Sequence, residues 1–277
     1  MKKYFHTKIE WVKNPDGSLG WVWNPITGCL NGCEYCYARR LANTRLKDRY
    51  LANKNVAPFI PNEKKKAPYL YDRDPFYPRF WESRIQELAK RNDLKPRGIF
   101  VCDMSDLFGI GIPDNWQWNV FEVIKHNPQH RFYLLTKQPQ NLIKFSPFPP
   151  NCWLGVSVTT KEQLRPAIWG LSEVQCNKRF LSFEPLLENV LDQVLPAEWD
   201  DAINWVIIGA QTKPTVFPKI EWVQEIVEAC DKVGVPVFLK NNLKPLIESS
   251  GFLNAGWAAR EWVQCKYPIL RQEMPCK

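Results

Sequence analysis

The feature that most constrains the fold of this chain is a series of short apolar runs, separated from one another by segments of helical periodicity. Continuously apolar runs of this length are typical of parallel strands covered on both faces, because neither face of such a strand meets water. Strands that alternate with helices in this way predict an α/β fold. The clearest runs cover residues 98–102, 131–135, 153–158, 179–183, 205–209 and 235–239.

The helical segments complete the pattern. The clearest helix covers residues 218–233, where apolar residues repeat at helical spacing before Gly234. Others are expected from Pro113 onward and over residues 78–90. A further strand near residues 20–23 brings the expected count to about six to seven parallel strands in βα order. We therefore predict a partial (β/α) TIM-like barrel, with an open doubly wound sheet as the alternative.

The chain is expected to form one barrel domain over residues 1–277. Residues 52–78 are rich in Pro, Lys and Tyr, and we interpret them as an insertion or lid. Residues 241–277 are expected to form a C-terminal cap on one end of the barrel. No glycine-rich dinucleotide fingerprint follows any predicted strand, and no Walker-type loop is present.

The composition favours a protein that works in a reducing compartment and does not span a membrane. No stretch reaches the 18 or so uninterrupted apolar residues of a membrane span, and residues 1–8 lack the apolar core of a secretory signal. The nine cysteines are odd in number and mostly scattered, unlike a secreted disulfide framework. We therefore predict a cytoplasmic protein.

Positive charge is concentrated in one stretch. Residues 37–97 hold 16 Lys and Arg against 7 Asp and Glu, a net charge of +9. This segment therefore carries more positive charge than the whole chain, whose formal net charge is +8. Within this stretch, Arg45, Lys47, Arg49 and residues 64–66 are interleaved with aromatic residues. Cations beside aromatic faces suit a nucleic acid, through phosphate attraction and base stacking. The alternative is a solvated helix face followed by a basic surface loop.

The densest group of chemically active residues is Cys29, Cys33 and Cys36, with the spacing C-x3-C-x2-C. Each of these thiolates can bind one iron of a cubane [4Fe–4S] cluster, which leaves the fourth iron open to a small molecule. A structural zinc site is one alternative, although the chain has no second cysteine knuckle and no histidine pair at zinc spacing. Apolar packing and disulfide bonding are also compatible with such cysteines.

Polar residues follow the apolar runs. In a parallel barrel the active site lies at the carboxyl ends of the strands, so these positions predict a site for a polar ligand. Helix caps and turns are the alternative explanation for each residue taken singly. The polar ends are at residues 103–106, 136–138, 157–160, 182–185, 211–212 and 240–242.

The cysteine run resembles that of the radical S-adenosylmethionine enzymes. Further stretches resemble one family of that superfamily, which is associated with phages and bacteria, known by a domain-of-unknown-function label and often described as a phage protein family. The resemblance extends from about Trp21 to Asn241. The stretches are Trp23–Cys29, Asp103–Phe108, Leu135–Pro139, Leu154–Val158 and Ser182–Leu187.

The resemblance implies an enzyme with a [4Fe–4S] cluster on Cys29, Cys33 and Cys36. Its cofactor would be S-adenosylmethionine, cleaved reductively so that hydrogen is abstracted from a substrate. An electron donor similar to flavodoxin or ferredoxin is also implied. Superfamily precedent also implies contacts to the cofactor. The methionyl amino group would meet Cys102, Asp103 and Ser105, and the ribose and carboxylate would meet Ser157 and Thr159. Glu184 would bind the ribose, the amino group or the substrate, Gly209 would lie beside the adenine, and Lys137 and Lys240 would offset the carboxylate or a substrate phosphate.

The chain departs in two places from the family that it resembles. The spacing between the first two cysteines is compact, and Gly209-Ala210-Gln211-Thr212 stands where the family usually has Gly-Gly-Glu-Ser-Gly. No acidic role is therefore carried over to that position. The predicted substrate is a nucleic acid or nucleotide. The alternatives are a radical enzyme acting on a peptide or small metabolite, and a non-catalytic iron–sulfur or zinc module that binds nucleic acid.

Overall fold

The computed structural model describes residues 5–58, 73–90, 95–191, 199, 202–250 and 270–275. In this part of the chain the main sheet has eight strands in the order β1-β2-β5-β6-β7-β8-β9-β10. Seven of them are parallel and alternate with helices, so the predicted α/β partial TIM-like barrel is confirmed. The eighth strand, β1, pairs antiparallel with β2, and β3 and β4 form a separate two-stranded sheet.

The elements have the following bounds. The strands are β1 Phe5–His6, β2 Trp21–Trp23, β3 Ile26–Thr27, β4 Arg79–Phe80, β5 Gly98–Val101, β6 Arg131–Thr136, β7 Cys152–Ser157, β8 Lys178–Phe183, β9 Trp205–Ile208 and β10 Val237–Leu239. The helices are α1 Tyr37–Asn43, α2 Lys47–Ala52, α3 Glu82–Ala89, α4 Asp114–Lys125, α5 Leu164–Ser172, α6 Ile220–Val233 and α7 Lys244–Ser249.

The expected strands and helices agree closely with these bounds. Helix α6 ends at Gly234, which has a left-handed backbone with φ 71°. Helix α3 begins at Glu82, later than the expected residue 78. The reason is that Arg79 and Phe80 form β4, which pairs with Thr27 and Ile26.

The chain divides into two compact units, of which the first holds residues 1–141 and 148–153. Its core is built on aromatic side chains. Trp11 lies 5.1 Å from Phe100 and 5.7 Å from Tyr133, measured between ring centres, and Tyr133 lies 5.4 Å from Trp153. These contacts join Trp11, in the chain before β2, to the strands β5 and β6. The segment that leads to the cysteines is therefore packed against the sheet.

The second unit holds residues 142–147 and 154–277. Its strands β8, β9 and β10 are fully buried over most of their length, and β9 pairs parallel with both neighbours. Residues 270–275 run antiparallel beside β10 through the bonds Leu239 N to Arg271 O and Glu273 N to Val237 O. Arg271 is buried and forms ion pairs with Asp231 and Glu273 at 2.8 and 3.0 Å.

The predicted insertion and cap are described only in part. Residue 52 ends α2, Val56 bridges to Arg79, and Phe76 and Tyr77 are buried, so both described ends of the predicted insertion are packed. Lys64, Lys65 and Lys66 lie outside the described residues, as do residues 251–269 of the predicted cap. In the described segments we find no helix whose length and apolar content would let it cross a membrane.

Candidate functional site

The three cysteines lie in residues 28–36, which we call the cysteine loop. The loop starts at Gly28, whose φ is +88° and where a Cβ would lie 2.4 Å from the carbonyl oxygen of Tyr77. Gly28 donates its N–H to Met104 O, and Ser105 Oγ donates to Gly28 O. Cys29 N–H donates to Phe76 O at 3.0 Å. Backbone contacts on two sides therefore fix the entrance to the loop.

Cys29, Cys33 and Cys36 are free, half-buried thiols. The Sγ of Cys29 accepts the N–H of Asn31 at 3.4 Å. The Sγ of Cys36 accepts the N–H of Arg39 at 3.3 Å and caps the start of α1. Hydrogen bonds from amides to ligand sulfurs are among the factors that tune iron–sulfur clusters.

The electrostatic environment keeps Cys29 protonated when nothing is bound. Burial raises the pKa of the Cys29 thiol to about 12, and the nearby Asp106 carboxylate adds to this rise. Binding of a metal must therefore displace the proton. Among the residues that the structure describes, no three His, Cys, Asp or Glu side chains are grouped tightly enough to hold a single metal ion.

The end of β5 lies against the cysteine loop. Cys102 is buried and has φ 61°, a left-handed backbone that a residue with a Cβ rarely adopts. Its carbonyl accepts Ser105 N–H at 2.9 Å. Asn24 donates to the Asp103 carboxylate, whose pKa is raised by burial, and Tyr37 Oη donates to Asp103 O at 2.6 Å.

Lys137, at the end of β6, points its ammonium toward the cysteine loop. Its Nζ is buried and has no hydrogen-bond acceptor among the described residues. The Nζ lies 5.5 Å from the ring centre of Tyr35, the residue before Cys36. The first unit thus brings Cys102, Asp103, Ser105 and Lys137 together with the three cysteines, as the strand-end argument predicts.

One network of side chains at this site extends beyond the predicted cofactor contacts, although Asp106, Thr136 and Gln138 lie in the predicted polar strand ends. The buried carboxylate of Asp106 accepts hydrogen bonds from Asn31, Thr136 and the backbone of Lys137. Asn31, in the middle of the cysteine loop, also accepts a bond from Gln138. The types of these residues are common in turns and caps, so the sequence offered no signal that distinguished them.

The remaining candidates lie in the second unit. Glu184 and Lys240 form an ion pair, with exposed side-chain fractions of 26% and 13%. Gly209 makes room for this pair, because a Cβ at residue 209 would lie 2.9 Å from Lys240 Cδ and 3.4 Å from Glu184 Cγ. The second unit therefore groups three of the predicted residues at the ends of β8, β9 and β10.

Ser157 and Thr159 are buried at the end of β7. The hydroxyl and the N–H of Thr159 both donate to Gln163 Oε1, at 3.0 and 2.7 Å. Gln163 also closes a capping box with Thr160. Thr159 is therefore tied to the start of the next helical turn, and its hydroxyl hydrogen is already donated to Gln163 in this structure.

Two further polar residues lie in the predicted polar strand ends but were not among the predicted cofactor contacts. Asn242 binds the backbone of Ala210 twice, through Nδ2 to the carbonyl at 2.8 Å and from the N–H to Oδ1 at 3.1 Å. The Ser182 hydroxyl is fully buried and has no hydrogen-bond partner in the described structure. Asparagine and serine are too common in loops for the sequence to separate these two from the rest.

A basic surface and a cavity of the first unit lie near the core cluster that the cysteine loop also contacts. Arg45, Lys47 and Arg49 are exposed, and none of them forms an ion pair with a described acidic residue. Arg49 lines an open cavity of about 620 Å³ together with Phe80 and Trp81. Trp81 packs on the same core cluster as Cys29 and Cys36. The cavity and the loop thus share that core.

The chain is similar to a protein family and to solved structures of an enzyme. The model of the family described as Protein of unknown function (DUF5131) matches residues 6–245. Spore photoproduct lyase complexed with dinucleoside spore photoproduct is similar over 86% of this chain and 79% of that chain, at 12% identity and a TM-score of 0.53. A cysteine-to-alanine mutant of the lyase with the same ligand has a TM-score of 0.51, at 12% identity over 86% and 79%. No curated protein matches the chain. At this identity the likeness to the lyase concerns the fold.

Proposed function

The chain belongs to the DUF5131 family of unknown function, and we propose that it is a radical S-adenosylmethionine enzyme. The family match confirms the predicted domain-of-unknown-function label. In this proposal Cys29, Cys33 and Cys36 would hold a [4Fe–4S] cluster, whose fourth iron would have no protein ligand and would be free for S-adenosylmethionine. The partial barrel, which is shared with spore photoproduct lyase, supports the proposal at the level of the fold.

The observation that carries the proposal is the position of Lys137. A buried ammonium without a hydrogen-bond acceptor is costly, since it has lost its water and gained no acceptor in return. The Nζ of Lys137 is in this state, beside Tyr35 of the cysteine loop. An anionic group bound at the loop would satisfy it. Both the thiolate-bound cluster and the carboxylate of S-adenosylmethionine are anionic.

The cysteine loop also fits a cluster. It offers three half-buried thiols within eight consecutive residues, and the sulfurs of two of them already face backbone N–H groups. A cubane does not require three ligands around one ion, because each thiolate binds a different iron. The donor set therefore suits a cluster with one iron left open.

The residues of the chain have distinct tasks in this proposal. The cluster, when bound and reduced, supplies the electron that cleaves the sulfonium of S-adenosylmethionine and starts radical chemistry. Lys137 offsets negative charge at the loop, and Ser105 holds the carbonyl of Gly28 so that Cys29 keeps its place. The end of β5, with Cys102 and Asp103, offers the polar groups proposed for the methionyl amino group.

The candidates of the second unit remain part of the proposal as separate contacts. Ser157 and Thr159 are assigned to the ribose and carboxylate, Glu184 and Lys240 to charged groups of the ligand, and Gly209 to the adenine edge. Because Glu184 and Lys240 neutralise each other in this structure, a ligand that uses one of them must also satisfy the other.

Anaerobic reconstitution with iron and sulfide tests the proposal. We expect about four irons per chain and release of 5′-deoxyadenosine with dithionite, both lost in Cys33→Ala. Cys176→Ala is the matched control, since Cys176 is also half-buried but lies far along the chain from the loop. Tight binding of one zinc without cofactor cleavage would support the non-catalytic module instead.

The role of Lys137 is tested in the same preparation. Lys137→Gln should keep about four irons per chain but weaken S-adenosylmethionine binding about 10- to 100-fold, the range expected for a hydrogen bond to a charged group. Unchanged affinity would show that the ammonium does not face the cofactor.

We further propose that the substrate is a nucleic acid or nucleotide. The exposed cations Arg45, Lys47 and Arg49 on and before α2 support this, as does the open cavity that Arg49 lines beside Trp81. The ring of Phe80, on the same wall, is buried and stacked on Trp116. Cations attract phosphates, and aromatic faces stack on bases. The lyase with a similar fold was solved with a dinucleoside, so short oligonucleotides are the first ligands to test.

Salt dependence distinguishes a nucleic-acid track from a solvated surface. Binding of an oligonucleotide should fall with salt at a log–log slope of about −0.7 to −0.9 per phosphate contacted. Replacing Arg45, Lys47 and Arg49 together by Gln should reduce that slope by about two to three. The matched control replaces three exposed lysines of the second unit, Lys161, Lys219 and Lys232. Equal effects in both variants would favour a peptide or small-metabolite substrate.

The electron donor stays a proposal. Reductive cleavage needs one electron from outside the chain, and a small acidic protein similar to flavodoxin or ferredoxin suits the basic surface of the first unit. Cleavage driven by such a donor should weaken as salt rises, whereas cleavage driven by dithionite should not.

A further inference from the structure

We infer that Asn31 and Asp106 are positioning residues, which fix the cysteine loop and the Lys137 backbone to one buried carboxylate. The inference deepens the proposed function and rests on it, because the property that is positioned is the place of the cluster relative to the ammonium of Lys137.

Asp106 is the centre of the arrangement. It is 5% exposed. Its Oδ1 accepts from Thr136 Oγ1 at 2.7 Å and from Phe108 N–H at 3.1 Å. Its Oδ2 accepts from the N–H of Lys137 at 2.9 Å and from Asn31 Nδ2 at 2.8 Å. Four donors on two oxygens leave the carboxylate little freedom, so everything bound to it is held in place.

Asn31 connects this carboxylate to the cysteine loop. Its Nδ2 donates to Asp106, its Oδ1 accepts from Gln138 Nε2 at 2.9 Å, and its backbone N–H donates to Cys29 Sγ at 3.4 Å. The side chain thus reaches the residues after β5 and those after β6, while the backbone of the same residue faces a predicted cluster ligand.

The consequence concerns both the ligand sulfur and the cation. Side chains that orient metal ligands from behind tune the affinity for the metal, and hydrogen bonds to sulfur tune the reduction potential of a cluster. Asn31 sets the direction of the N–H at Cys29 Sγ. Asp106 sets the backbone position from which Lys137 reaches Tyr35. Loss of either contact should therefore change the cluster more than it changes the fold.

The test compares Asn31→Ala with Asn141→Ala. Asn141 also binds with its amide to a neighbouring part of the chain, Phe108 O at 2.8 Å, but makes no hydrogen bond to the cysteine loop. In Asn31→Ala we expect iron to leave to a chelator about 10- to 100-fold faster, the range known for residues behind metal ligands. We also expect a more negative reduction potential and a changed electron paramagnetic resonance spectrum of the reduced cluster.

A merely structural role would move the urea midpoint of the metal-free protein equally in both variants and leave the spectrum unchanged, which would overturn the inference. Asp106→Asn, which replaces one of the two acceptor oxygens by an NH2 group and so weakens the four-donor network, should reproduce the spectral change if it folds. If the unsubstituted protein binds no cluster, the proposed function fails together with the inference. If it binds a cluster that Asn31→Ala leaves unaltered, only the inference fails.

Discussion

Two glycines in the cysteine loop allow the effect of space to be separated from the effect of backbone conformation. Gly28 and Gly32 both have a left-handed backbone, with φ of +88° and +73°. A Cβ at Gly32 would have no heavy atom within 4 Å, whereas a Cβ at Gly28 would lie 2.4 Å from Tyr77 O and 2.7 Å from Phe76 O. The substitutions Gly28→Ala and Gly32→Ala therefore differ in the room that is available.

The expected free energies follow from these distances. A left-handed backbone costs an L-residue about 1–2 kcal/mol, of which about 0.4–1 kcal/mol is offset because alanine restricts the unfolded chain. Gly32→Ala should thus destabilise by about 1 kcal/mol. Gly28→Ala adds an overlap with backbone atoms that no side-chain rotation can relieve, at about 1–3 kcal/mol. It also displaces the bond from Cys29 N–H to Phe76 O, at about 1 kcal/mol. The total is about 3–5 kcal/mol.

Urea unfolding of the metal-free proteins measures the difference, with iron content after reconstitution as the second readout. We expect Gly28→Ala to lose at least 2 kcal/mol more than Gly32→Ala, with most of its iron lost as well. Equal destabilisation of the two variants would refute the reasoning, because it would mean that the segment at residues 76–77 moves aside without resistance.

Two further predictions concern charges. Glu184→Gln and Lys240→Met should each lower the free energy of unfolding by about 1–3 kcal/mol in urea, because each leaves the other partner of a partly buried ion pair without its counter-charge. The double variant should lose less than the sum of the two single losses. Additive losses would mean that the two side chains are not coupled. Burial raises the folded pKa of Asp103 above its unfolded value near 3.8. The folded state then holds the proton more tightly, so stability falls as pH rises from that value through the folded pKa. Asp103→Asn should partly flatten this fall in the metal-free protein, and an unchanged curve would contradict the assignment.

The sequence predicted most of the fold because the strands are buried on both faces. Each expected run became a strand within about two residues of its predicted bounds. A continuous apolar run can bury all its side chains as a parallel strand that is covered on both faces, which is the arrangement in this sheet. The start of α3 was predicted too early, because the short strand β4 depends on pairing with β3, which lies more than fifty residues earlier in the chain. Such pairing leaves no local pattern.

The sequence indicated candidate site residues where one motif or one position suffices, and their roles stay predictions. The cysteine spacing marks the loop, and the strand-end rule identified Lys137 and Asp103. The same rule marked the stretches that hold Asp106 and Gln138, but nothing in the sequence indicated that Asn31 binds both of them. Asn31 and Gln138 are 107 residues apart, and each is an ordinary turn residue in its own neighbourhood. Only the folded chain shows that they meet.

The segment at residues 270–275 has a consequence for how the protein associates with itself. It runs along β10 at the end of the main sheet, where a strand would otherwise present unpaired N–H and C=O groups. Such an edge is a template for a strand of a neighbouring molecule. Arg271, held between Asp231 and Glu273, fastens the segment there. The segment therefore covers the edge of β10 and should prevent edge-to-edge pairing between molecules. We expect a chain that lacks this segment to form sheet-paired oligomers in solution.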